Sequence, residues 1–212
     1  MTLIAQMSPA ETGVIEGTSI TAINNGHVTV FLQETSSGYI LFDTGVDAEK
    51  LAESMKELGI ALENVHTIFL SHSDRDHVAG LVLFPHAEIY LCIDEFPIIQ
   101  GKIIRREGRY NSLPEEVEES RLLPVKDGQK LEINGINISS IQAPGHTPGS
   151  MLYLINDRFL FTGDAFSFVN GEIGIHPFTM DEDQVTQTIE NLRTKMAKAE
   201  IILTSHYGVI YR

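Results

Sequence analysis

The chain opens strand-rich and then alternates between strand and helix spacing. Val14 to Ile23 alternates loosely between apolar and polar positions and leads into Asn24-Asn25-Gly26, a hairpin signal. Val28 to Thr35 and Tyr39 to Phe42 read as paired strands around Ser36-Ser37-Gly38. A helix follows from about Asp47, with Leu51, Met55 and Leu58 on one face and Gly59 as its stop. Short apolar runs then recur at Val65 to Leu70, Ile89 to Ile93, Ile136 to Ile141, Phe159 to Phe161 and Ile201 to Leu203, each of strand length. Thr179-Met180-Asp181-Glu182 is a capping box, and Val185, Ile189, Leu192 and Met196 behind it keep helical spacing on a core-facing side. Asp94 to Pro124, with Gly101, Gly108 and several charges, is the least regular stretch and is expected to form an excursion beside a substrate groove.

Composition narrows the picture. At 212 residues and 42% apolar content, the chain is expected to form one α/β domain over residues 1–212. No apolar run approaches the roughly 20 residues that span a bilayer, and Met1 to Gln6 lack the basic start and apolar core of a signal peptide. Cys92, the single cysteine, has no internal disulfide partner and reads as a small apolar strand residue. Both features point to the cytoplasm and away from a membrane. The formal charge of −14 repels phosphate backbones, so nucleic acid is not an expected partner. Much of that acid lies in runs such as Leu113 to Ser120, read as a solvated helix face.

The chemistry concentrates at strand ends. His72-Ser73-Asp74-Arg75-Asp76-His77 follows the run that ends at Leu70 and packs two imidazoles and two carboxylates into six positions. Imidazole with carboxylate suits zinc, iron or manganese, and the lack of nearby cysteines argues for a catalytic rather than a closed structural site. His146 sits between two Pro/Gly pairs after another strand, Asp164 ends the Phe159 run, and His206 ends the Ile201 run. Loops on a rigid sheet are where function is carried.

In these segments, and in Leu41-Phe42-Asp43-Thr44-Gly45, the chain resembles the metallo-β-lactamase superfamily, whose signature His-x-His-x-Asp-His is followed by a lone His, a lone Asp and a final His. The resemblance covers nearly the whole chain and implies a four-layer αββα sandwich with two divalent metal ions at one edge of the sheets. It implies that His72, Asp74 and His146 hold the first ion, that Asp76, His77 and His206 hold the second, and that Asp164 bridges them. Asp74 stands where the family usually has His, which keeps zinc as the first expectation but opens the first site to iron or manganese.

Paired ions lower the pKa of water and polarise a carbonyl or phosphoryl oxygen, so the expected function is hydrolysis of a small ester, thioester, lactone or phosphoester by a metal-bound hydroxide. Asp76 is then the catalytic carboxylate that orients the hydroxide. Asp43 stands behind the ligands to fix a histidine tautomer, or else serves the Asp-Thr-Gly turn alone. His176 and Tyr207 are candidate substrate contacts, and Arg75 is a candidate partner for a substrate acid. His27, His66 and His86 read as surface or hydrogen-bonded histidines. Glyoxalase II shares the Gly-His-Thr-Pro-Gly and Gly-Asp elements but carries a further C-terminal region, whereas this chain ends six residues after His206. The alternative function is an iron-dependent redox enzyme of the same fold, suggested by Asp74.

Overall fold

In the computed structural model, which describes residues 7–106 and 111–212, the Asn24-Asn25-Gly26 signal is a tight hairpin with Asn25 paired to Val28 and Gly26 at φ +81°. Met1 to Gln6 and Gly108 lie outside the described residues. The hairpin starts a sheet that runs β1 (Gly13–Val14), β2 (Ile20–Asn25), β3 (Val28–Thr35), β4 (Gly38–Phe42), β5 (Val65–Phe69), β6 (Glu88–Cys92) and β7 (Leu122–Val125). Its strands are antiparallel through β4 and parallel from β4 to β7. The second sheet takes β8 (Lys130–Ile133), β9 (Ile136–Gln142), β10 (Met151–Ile155) and β11 (Phe159–Gly163) as an antiparallel run. After a separate hairpin, β12 (Ser167–Val169) with β13 (Glu172–Gly174), it adds β14 (Ile201–Thr204) parallel to β11, and β15 (Val209–Tyr211). The helices are α1 (Ala48–Glu57), the short α2 (Arg75–Val78) and α3 (Phe96–Ile99), and α4 (Glu182–Met196).

Alternate residues of one strand serve different cores, as the period of two requires. Phe31 of β3 joins Phe42, Phe69, Tyr153, Phe161 and Leu203 between the sheets. Its neighbours Val30 and Leu32 face outward to Leu51 and Met55 of α1. Leu160 and Ile202 face the other way, onto Val185, Leu192 and Met196 of α4. The result is helix, sheet, sheet, helix, the αββα sandwich expected from the sequence. Each aromatic buried between the sheets contributes about 1.5–3 kcal/mol relative to an exposed one.

Two local readings need correction. The cap of α4 is Asp181, whose carboxylate accepts from Gln184 N, and not Thr179. The amides of Met180 and Asp181 both donate to Gly145 O, which holds the chain extended up to that point. Leu113 to Ser120 forms turns and the start of a 3₁₀ turn rather than a helix; Pro114 and the burial of Val117 break any regular face, while the glutamates are exposed as expected. Cys92 is buried in β6, and burial pushes its thiol up to about 12. Parallel pairing of β4 with β5 and of β11 with β14 brings four strand C-termini to one edge of the sandwich, and the candidate residues lie there.

Candidate metal centre

Backbone geometry at the strand ends aims the side chains. After β4 the chain turns at Asp43, which adopts φ +57°, and its carboxylate accepts from Ser71 N (2.7 Å), Ser71 Oγ (2.7 Å) and His77 Nδ1 (2.6 Å). Ser71 leads out of β5 and packs on Gly163, where an added Cβ would fall 2.3 Å from Ser71 Cβ. His77 lies on α2, with its Nδ1 proton given to Asp43 and its Nε2 turned inward. Beyond β14, His206 gives its Nδ1 proton to the carbonyl of His27 at 2.6 Å and also turns Nε2 inward. Asp164 Oδ2 lies 3.2 Å from His206 Nε2 and 3.4 Å from His77 Nε2, and Asp76 Oδ2 lies 3.5 and 3.8 Å from the same two nitrogens.

A second group adjoins it. His72 Nε2 and His146 Nε2 are each 3.4 Å from Asp74 Oδ2. Asp74 is also held from outside: Arg105 Nε and Nη2 donate to its two oxygens at 2.7 Å each, and Asn111 Nδ2 donates to Oδ1 at 2.6 Å. His176 completes the cluster. It is 2% exposed, donates Nδ1–H to Pro177 O at 2.7 Å, and points Nε2 at Asp164 Oδ2, 3.7 Å away.

The donor atoms fit a cation. Among the described residues, Nε2 of His72, His77 and His176 and Oδ1 of Asp164 are buried without a hydrogen-bond partner, which is costly unless something binds them. A tetrahedral ion with bonds of about 2.0–2.2 Å separates its ligands by roughly 3.3–3.6 Å, and the distances from the carboxylates of Asp164 and Asp76 to the imidazoles of His77 and His206, 3.2 to 3.8 Å, lie close to that range. Burial opposes ionisation of Asp164, yet the facing charges of His206, His176 and His77 hold its carboxyl well below the usual range. Burial likewise opposes a charged His77, but Asp164, Asp43 and Asp76 raise it well above an ordinary imidazole. The buried carboxylates of the cluster are therefore held ionised and favour positive charge beside them. His146 differs: burial drives it down to about 3, so it stays neutral.

The centre opens into a cavity of about 650 Å³, lined by Asp76, His176 and His206 together with Arg75, Arg106 and Phe178. All seven sequence-predicted ligands, His72, Asp74, Asp76, His77, His146, Asp164 and His206, converge on this edge. His176 also lies within the cluster. Tyr207 does not line the cavity; its ring packs edge-on to His176, 5.8 Å away, and its hydroxyl is buried. His27 belongs to the site as well as to the surface, because its ring stacks on His206 and its Nε2 sits 3.2 Å from Asp76 Oδ2. Glu95 and Arg105 had no sequence signal. Glu95 is fully buried and accepts from Ser73 N, Ser73 Oγ and Gly149 N, tying the cluster loop to the His146 turn.

Comparison with known proteins agrees with this architecture. A family model described as the metallo-beta-lactamase superfamily matches residues 23–206. The chain is 30% identical over 138 residues to the probable polyketide biosynthesis zinc-dependent hydrolase BaeB of Bacillus velezensis, covering 64% of this chain but only 52% of that protein, about half its length. It is 27% identical over 208 residues to the hydroxyacylglutathione hydrolase GloC of Haemophilus influenzae, covering 92% of this chain and 90% of that one. Among solved structures, the subclass B3 metallo-beta-lactamase MEM-A1 from a soil metagenome library superposes with a TM-score of 0.73 at 18% identity, over 93% of this chain and 80% of that chain.

Proposed function

Because the chain belongs to the metallo-beta-lactamase superfamily and is a metal-dependent hydrolase, we propose that it cleaves a small ester or thioester that carries an acidic group, with zinc held by Asp76, His77, Asp164 and His206. The observation that carries this reading is the grouping of Asp76, His77 and His206, with Asp164 3.2 and 3.4 Å from the two imidazoles, beside an open cavity. A divalent cation bound there supplies an activated water and polarises a carbonyl. The chain's own residues do the rest. Asp43 and the His27 carbonyl fix the tautomers of His77 and His206, so that each presents a lone pair inward. Asp76, partly exposed to the cavity, would orient the attacking water, and the exposed His27 holds its carboxylate in place from 3.2 Å away. Arg75 and Arg106 line the cavity and would meet the acid of the substrate, two cations on a chain of charge −14. GloC supports the thioester as substrate class, and its nearly full coverage by this chain removes length as an argument against that class.

The test is hydrolysis of a panel of chromogenic esters, thioesters, lactones and phosphodiesters before and after exhaustive chelation. Activity is expected on the esters and thioesters, to vanish with the metal and to return when zinc is added. Hydrolysis that survives complete metal removal would overturn the reading.

A further inference from the structure

We propose that the guanidinium of Arg105 takes the place of a first metal ion, so that this protein binds one catalytic cation rather than two; the proposal rests on the metal-dependent reading only for the presence of that one cation. Arg105 comes from the irregular stretch after α3 and is 5% exposed. Its Nε and Nη2 grip both oxygens of Asp74 in a two-pronged, charge-assisted pair, the geometry in which arginine binds carboxylate most firmly. The same Nη2 lies 2.8 Å from His146 Nε2, and Nη1 donates to Phe178 O at 2.9 Å.

The imidazole chemistry decides what this means. Arginine has donors and no acceptor, so His146 must accept on Nε2 and carry its proton on Nδ1. A neutral imidazole nitrogen has a single lone pair, and an N–H donating to it excludes an ion bound to it. The contrast with the neighbouring set is direct. His77 and His206 each donate Nδ1–H to a fixed oxygen and leave Nε2 free, whereas His146 has Nε2 engaged by Arg105 and Nδ1 buried without a partner. Of the three donors expected for the first ion alone, His146 and Asp74 are therefore taken, which leaves His72 Nε2 and the shared Asp164 Oδ1, too few to hold an ion of their own. Asp74 pairs with a cation of the protein's own. Its substitution for histidine then marks an ion pair rather than an oxygen-rich ligand set, which removes the argument it offered for iron or manganese.

The test is uptake of zinc by metal-free protein, counted by elemental analysis after removal of free ion, with no substrate present. The parent protein is expected to retain about one equivalent. Arg105→Ala frees Asp74 and His146 and should retain about two, with folding checked by circular dichroism. His206→Ala leaves Arg105 in place and dismantles the other set, so it should retain none; this variant keeps the proposal falsifiable if Arg105→Ala does not fold. Two tight equivalents in the parent, none in the parent, one in His206→Ala, or only one in folded Arg105→Ala would each overturn it. One equivalent without hydrolysis of any substrate would instead sink the hydrolase assignment and leave the role of Arg105 standing.

Discussion

Asp164→Ala is expected to abolish zinc retention and hydrolysis together, by more than about a hundredfold, beyond the 10–100-fold that losing a partner behind the ligands typically costs. One oxygen of this carboxylate lies within 4.0 Å of the Nε2 atoms of five histidines, His206, His77, His146, His176 and His72. Without it those imidazoles face one another across a buried space with little anionic charge to draw in a cation. Among the described residues the side chain makes no hydrogen bond to the backbone, and Asp43 still holds Ser71 and His77, so the fold should survive. Elemental analysis and the ester assay, run on the same preparation, check the result. A variant that kept its zinc would show that Asp164 is not a ligand.

Glu95→Ala should lower the thermal midpoint more than any surface change. The carboxylate is buried and receives three donors from two loops. Truncation leaves two backbone amides unpaired in the interior, at a cost of about 3 kcal/mol, which for a protein of this size lowers Tm by about 6–12 °C. Ser73 lies on the same loop as the ligands Asp76 and His77, so the loosened loop should weaken zinc binding as well. Gly149 packs against Glu95 so closely that an added Cβ would meet its backbone nitrogen at 2.6 Å, which shows how little slack the junction has. A Tm within about 2 °C of the parent would mean that the clamp carries little stability.

The legible part of this molecule is the part whose physics is local. Period-two and helical spacing identify β2 to β6, β9, β11, β14 and α1, while β7, β8, β10, β12, β13 and β15 give no such reading, and strand ends name the seven residues that converge. The Asn24-Asn25-Gly26 turn is read correctly because hairpin chemistry depends on a few adjacent residues. What is not legible depends on contacts between distant segments. Arg105 meets Asp74 across 31 residues and His146 across 41, and lies in a stretch with no periodicity. Glu95 looks like one more acid beside Asp94 until Ser73 and Gly149 are folded against it. His27 reads as a turn histidine, which it is, but its carbonyl reaches His206 across 179 residues. The misplaced cap of α4 has the same origin, since Gly145 supplies the carbonyl that keeps residues 180 and 181 extended.

The most direct test of the central claim is anomalous scattering at the zinc absorption edge from crystals grown with zinc. The predicted result is a peak enclosed by Asp76, His77, Asp164 and His206, with the Arg105 guanidinium still on Asp74. A map with no anomalous density between those four side chains would contradict the account.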